Sequence, residues 1–233
     1  LASESTLYRV LRQEALLAHR SHTRPSVNRR PKPLMATSPN EVWSWDISYL
    51  RSSVRGEFFY LYLVEDIFSR AIVGWEVHEK ECSNSASELI KDTAQTEGIK
   101  PSQLTLHSDN GGPMKGATML STLQRLGVIP SFSRPSVSDD NPFSEALFKT
   151  VKYCPKYPQK PFESLEEARG WVREFVDWYN NQHLHSGIKF VTPMSRHLGS
   201  DKQLLIKRKE VYEKAKRKNP SRWSGSSRNW ERP

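Results

Sequence analysis

The sequence predicts an α/β domain built on a mixed five-stranded sheet with helices on its faces, and three observations predict it. Five short runs rich in β-branched and aromatic residues lie between residues 42 and 132. The first three follow one another across tight turns, as an antiparallel meander does. The later runs are separated by stretches with helical spacing, and strands joined through helices pair in parallel. A chain of 233 residues is long enough for one such domain with extensions.

Each element has its own warrant. In residues 5–17, STLYRVLRQEALL, helical spacing puts Leu7, Val10, Leu11 and Leu16 on one face, with Ser5 or Thr6 as the cap. Residues 21–41 hold Pro25, Pro31, Pro33 and Pro39 with little apolar content and read as an extended basic linker, so the folded domain begins near Glu41. VWSWDISYL, 42–50, is a strand. Arg55-Gly56 turns the chain into EFFYLYLVEDIF, 57–68, a strand apolar enough to be buried on both faces. Ser69-Arg70 turns it again into AIVGWEV, 71–77. Ser83 or Asn84 caps a helix reaching about Glu97, with Ala86, Leu89, Ile90 and Ala94 inward. LTLHSD, 104–109, is a short strand, followed by a helix to about Leu126 and a strand at 128–132. SRPSVSDDN has the composition of a loop. Asn141 or Asp140 caps the next helix, with Pro142 at its first position. That helix turns Phe143, Leu147 and Val151 inward and Glu145, Lys149 and Lys152 outward. An amphipathic helix at about 164–181 and a basic helix at about 201–218 complete the chain.

Charge is unevenly distributed. The net charge is +9, yet residues 1–40 carry seven Lys/Arg against two Asp/Glu and residues 201–233 carry eleven against four. A mildly acidic middle therefore lies between two basic arms, and the default partner for such arms is a nucleic acid rather than solvent alone. Other classes fall away. The longest apolar run, FFYLYLV at 58–64, is far too short to cross a bilayer, and no secretory signal opens the chain. Two cysteines, Cys82 and Cys154, without a C-x-x-C pair, support neither a disulfide framework nor a cysteine zinc site and fit a reducing cytosol.

Three acids stand out. Asp46 interrupts an apolar strand between Trp45 and Ile47, an expensive place for an unpaired carboxylate. Asp109 ends a short strand ahead of Asn110-Gly111-Gly112, and strand ends of this kind line ligand crevices in α/β sheets. The stretch SDDNPFSEALFKTVK, 138–152, adds Asp139, Asp140 and Glu145, of which Glu145 lies on the exposed helix face. Two of them have ordinary structural alternatives, Asp109 as a turn former and Glu145 as an ion-pair partner of Lys149 one helical turn on, and the alternative is weaker for Asp46. Taken together, three carboxylates without basic partners in sequence suit hard cations, Mg²⁺ or Mn²⁺, and two such ions serve phosphodiester chemistry.

The blocks WDISYL, HSDNGGPMKG and DDNPFSEALFKTVKY resemble the three signature blocks of DDE transposases, in the branch that shares its core with retroviral integrases. Thirty-five residues lie between Asp109 and Glu145, the interval typical of that family. Further likeness runs through WYNNQHLHSGIKFVTPMSRHLG, 178–199, to NPSRW and RNW in the tail, and is greatest to the second-reading-frame product of bacterial insertion sequences. The resemblance implies a ribonuclease H-like fold, with Asp46, Asp109 and Glu145 as catalytic, metal-binding acids for two Mg²⁺ or Mn²⁺ ions. It implies Lys152, and to a lesser degree Lys149, as DNA contacts, and leaves Asp139 and Asp140 as loop and cap residues. It divides the chain into a partial helix-turn-helix remnant at 1–20, a basic linker at 21–40, an integrase-like core at 41–199 and a basic helical extension at 200–233. It implies DNA strand cleavage and strand transfer at element ends, by a homo-oligomer on DNA in the bacterial cytoplasm at the nucleoid. End recognition is then expected from an upstream-frame helix-turn-helix protein or a frameshift fusion with it. The competing functions are a ribonuclease H-like nuclease that only hydrolyses and a non-catalytic DNA-binding relic.

Overall fold

The structure, a computed structural model, describes residues 3–14, 16, 34–134 and 140–232. The expected linker, the end of the first helix and Asp139 lie largely or wholly outside the described residues. Residues 1–34 and 35–233 are two separate compact units. The first holds α1 (Glu4–Gln13), which begins two or three residues earlier than the sequence suggests: Ser3, not Ser5 or Thr6, is the N-cap, its hydroxyl accepting the Thr6 N–H. Its apolar face is present but bare, with Leu7, Val10 and Leu11 exposed and no side chain buried.

The second unit carries the sheet. β1 (Val42–Arg51), β2 (Phe58–Asp66) and β3 (Ile72–His78) form the expected antiparallel meander. α2 (Ser83–Thr96) crosses to β4 (Thr105–Ser108). α3 (Gly112–Lys115) and α4 (Ala117–Leu126) cross to β5 (Ile129–Phe132). Both crossovers give parallel pairs, β1 with β4 and β4 with β5, so the order is β3-β2-β1-β4-β5. α5 (Pro142–Tyr153) and α6 (Leu165–Asn181) cover the other face, followed by α7 (Pro193–His197) and α8 (Asp201–Lys218).

Alternation along β1 divides the interior into two cores. Odd residues Trp43 and Trp45 pack with Ala86 and Ile90 of α2 and Met119 and Leu123 of α4. On the even face Leu50 joins Leu147, Phe148 and Val151 of α5 and Val172 and Phe175 of α6. β2 is buried on both faces as expected, with Leu63 on one side and Tyr62 on the other. Ser44, a polar member of the even face, is bonded to Asn141 and Ser144 at the start of α5.

Four local expectations are corrected. The helix read as one between 110 and 126 is two, because Gly116 is extended at φ −58° and ψ 143°. A Cβ there would stand 2.5 Å from Ser83 Oγ, so only glycine lets this turn approach the start of α2. The N-cap of α2 is Cys82 rather than Ser83 or Asn84. Asn141 holds the N-cap position of α5 with Pro142 at the first turn, but its side chain makes no cap bond, and Asp140 is engaged with Arg134. α7 was not foreseen.

The basic C-terminal segment is docked rather than trailing. Trp230 packs with Ile188, Val191 and Leu205, and the guanidinium groups of Arg208 and Arg228 lie over its ring. Fully buried Asp201 receives Arg196 at 3.3 Å and Arg232 Nε at 3.0 Å, which joins α7, α8 and the tail. Removing one partner of a buried ion pair strands the others. Asp201→Ala is therefore expected to lower the unfolding free energy by about 3 kcal/mol or more, with Trp230 exposed to quencher. Urea unfolding followed by tryptophan fluorescence checks both, and wild-type stability would contradict this account of the tail.

Candidate active site

The site is assembled by strand register. β1 and β4 run parallel with Ser44 opposite His107. Two residues on from this pair lie Asp46, still within β1, and Asp109, the first residue past the end of β4, near enough for its carboxylate to act on that of Asp46. That face is the one α5 packs on: Ser44 Oγ reaches Asn141 Oδ1 at 2.5 Å and Ser144 Oγ at 2.7 Å. Glu145 is the residue after Ser144, in the first turn of α5 and exposed.

Each aspartate is oriented locally. Asp46 Oδ1 accepts the Ile47 N–H at 2.8 Å. Asp109 Oδ1 accepts the Ser133 hydroxyl at 2.7 Å, and Asn110 Nδ2 donates to the Ser133 carbonyl at 2.5 Å, tying the loop after β4 to the end of β5. Neither aspartate nor Glu145 is in an ion pair among the described residues. In particular, no ion pair joins Glu145 to Lys149. Lys149 and Lys152 are both exposed on the outer face of α5.

Electrostatics mark the same spot. Asp46 is pushed up to about 6, first by burial and then by the carboxylates of Asp109, Glu145 and Glu81, against the pull of the Ile47 N–H. Glu81, in the loop between β3 and α2, was not singled out in the sequence. It lies near the site because the Tyr62 hydroxyl accepts the Cys82 N–H at 2.9 Å, so β2 braces this loop. An acid held in a negative field answers to a cation, and the donors here are all carboxylate oxygens, the set a hard divalent ion takes. Among the described residues no three of His, Cys, Asp and Glu stand close enough together, as their side chains lie, to hold one metal ion. The structure thus brings Asp46 and Asp109 together and leaves Glu145, exposed on α5, within electrostatic reach of Asp46.

Asp140 has a different part. Its carboxylate accepts Arg134 N–H, Nε and Nη2, each at 2.9 Å, which holds its pKa down to about 2. Its backbone carbonyl lies 3.0 Å from His107 Nε2. It is a structural acid, not a member of the open cluster.

Two family models described as Integrase core domain match residues 36–138 and 126–193, together covering the sheet, α5 and α6 and ending at the first residue of α7. The chain belongs to the integrase-core family. The integrase core is similar to the transposase for insertion sequence element IS904 of Lactococcus lactis, 30% identical over 159 residues covering 68% of this chain and 61% of the relative. It is also similar to transposase InsF for insertion sequence IS3A of Escherichia coli, 28% identical over 179 residues, 76% of this chain and 61% of that one. The chain thus spans about three fifths of the length of these curated relatives. Among solved structures, the HTLV-2 integrase catalytic core domain in complex with magnesium superimposes with a TM-score of 0.53 at 16% identity, over 70% of this chain and 99% of that one. The fold is therefore the ribonuclease H-like one that the sequence blocks implied. Among the described residues no helix is long and apolar enough to cross a membrane.

The raised Asp46 has a stability consequence whose sign is fixed. Its folded pKa exceeds that of the unfolded chain, so its favourable contribution is complete below the unfolded carboxylate value, near pH 4, and is lost as pH rises through about 6. In chelator-treated buffer, Asp46→Asn is expected to stabilise the protein at pH 7.5 by about 1–2 kcal/mol, with the gain shrinking toward pH 4. Urea unfolding across that range measures it. A variant no more stable than wild type at pH 7.5 would contradict the crowding of negative charge at Asp46.

Proposed function

We propose that the chain is the catalytic part of a DNA transposase of an insertion sequence, cutting strands at element ends and joining the 3′-OH to target DNA by transesterification. The observation that carries the reading is the nearness of Asp46 in β1 to Asp109 just past β4, neither in an ion pair among the described residues, with Glu145 one residue beyond the contact of α5 with β1. The names of the insertion-sequence relatives point the same way, and the magnesium in the integrase core domain supports a divalent metal here.

In this reading Asp46 and Asp109 bind from the sheet and Glu145 closes from α5. Two Mg²⁺ or Mn²⁺ ions bound there would supply the charge that activates a water or 3′-OH and stabilises the leaving oxygen. Lys152 and, more weakly, Lys149 face outward beside Glu145 and hold DNA phosphates, which positions the strand without reading its sequence. The basic face of α8 adds non-specific affinity. The active form is a homo-oligomer on DNA, a reading supported by the likeness of this fold to a chain of the simian T-cell lymphotropic virus intasome. End recognition comes from a helix-turn-helix module outside residues 41–199, the upstream-frame protein or a fusion with it, and the setting is the bacterial nucleoid.

Glu145→Gln separates binding from chemistry. The side chain keeps its size and its exposed helical position, so folding and DNA binding are expected to persist. Cleavage and strand joining are expected to fall together by several orders of magnitude, on the order of 10³-fold or more, because both steps use the same carboxylate. Lys152→Glu is expected to do the reverse, weakening DNA binding while leaving Mn²⁺ binding intact. Gel-shift assays beside strand-transfer assays on oligonucleotides carrying the element's ends, with a complete fusion supplied, test both. An active Glu145→Gln protein removes Glu145 from the site. Hydrolysis without joining by the wild type establishes the nuclease instead.

A further inference from the structure

The two aspartates stand on a second, buried polar layer. Two residues before Asp46 is Ser44, 0% exposed, and two residues before Asp109 is His107, 6% exposed. The register places these two side by side. Both hold the same short piece of chain, 140–144, that leads into Glu145. The hydrogens can be assigned. The Asp140 carbonyl only accepts, so His107 Nε2 carries the proton and donates to it at 3.0 Å. His107 Nδ1 lies 3.0 Å from the Ser131 hydroxyl, a second bond that fixes the ring. Ser44 donates to Asn141 Oδ1, which leaves its oxygen to accept from Ser144.

Such a layer does what apolar packing does not. Leu147, Phe148 and Val151 fasten α5 to the sheet, but apolar contacts tolerate a small slide or rotation. Directional bonds to buried groups do not, because a shifted helix leaves donors and acceptors unmatched. Glu145 follows directly, its N–H donating to the Asn141 carbonyl at 3.3 Å. The height and rotation of α5 over Asp46 and Asp109 are therefore set beneath the acids, at Ser44 and His107.

We propose that His107 is a positioning residue for Glu145: by donating from Nε2 to the Asp140 carbonyl, it fixes where the third carboxylate meets the other two. The proposal rests on reading Asp46, Asp109 and Glu145 as a divalent metal site. Its prediction is a coupling, not only a loss. His107→Leu keeps the bulk and removes the donor, whereas His107→Gln keeps an amide N–H at similar reach.

The test is calorimetric titration of the full chain with Mn²⁺, with circular dichroism confirming the fold of each variant. His107→Leu is expected to weaken Mn²⁺ binding by about 10-fold, a typical effect for a group that orients a ligand. His107→Gln is expected to stay within about 3-fold of wild type. In a Glu145→Gln background, His107→Leu is expected to cost nothing further, since the carboxylate it positions is gone. Wild-type affinity in His107→Leu overturns the proposal, as does an equal loss in both backgrounds, which would mean that His107 acts through the general fold. If Glu145→Gln weakens Mn²⁺ binding and His107→Leu does not, this inference fails while the metal site stands. If the wild type binds no Mn²⁺, both fail. Should His107→Leu not fold, Ser131→Ala, at a half-exposed site, frees the ring without emptying the layer and is expected to weaken binding about 3-fold; unchanged affinity there overturns the proposal equally.

Discussion

The parallel pairing of β1 with β4 is the constraint on which the rest of the site depends. It is short, running from Val42 opposite Thr105 to Ser44 opposite His107. Because side chains alternate across a strand, that one register decides two things at once. It aligns Ser44 with His107 under α5, and it leaves Asp46 and, just past the end of β4, Asp109 two residues on from them. A slip of one residue would turn one of the aspartates into the core of Trp43 and Trp45 and leave Ser44 facing no partner. The apolar sequence of β1 on its odd face and its small polar residues on the even face exclude that slip.

This arrangement trades stability for readiness. Asp46 is half-buried among acids, and burial with that negative field raises its pKa to about 6, a tension that a bound cation relieves. The surrounding structure offsets that tension with bonds that do not touch the acids. Arg134 and Asp140 are joined by three hydrogen bonds, Asn110 is bound to Ser133, and Asp201 gathers Arg196 and Arg232 far along the chain. Sites that must receive charge are preorganised by neighbours of this kind, while the receiving groups remain open.

Much of this was legible in the sequence, for identifiable reasons. The meander could be read because FFYLYLV is too apolar for any surface strand, and the parallel pairs because helical spacing intervenes before β4 and β5. Asp46 and Asp109 stood out because a carboxylate inside or at the end of a strand conflicts with its surroundings. What stayed hidden were residues whose partners lie far away in sequence. Asn141 has the composition of a cap, yet its side chain is used 97 positions back, at Ser44. Asp140 lies among loop residues and pairs with Arg134 rather than with the helix. His107 and Ser44 are ordinary in their own segments; the one signal was that each sits two residues before a conspicuous aspartate. The docking of the tail was hidden by its charge, although Trp230 in so polar a segment was a hint that some ring would be covered.

The central claim is that one strand register and the polar layer under α5 bring three carboxylates around a divalent metal pair. Crystals of the full chain grown with Mn²⁺, measured at a wavelength that reveals manganese by its anomalous scattering, test it most directly. The account predicts two peaks roughly 4 Å apart, bounded by Asp46, Asp109 and a Glu145 side chain turned inward, with Ser44 and His107 still bonded to the segment before α5. Manganese bound elsewhere, or a site formed by the two aspartates while Glu145 remains turned to solvent in the presence of DNA, would contradict it.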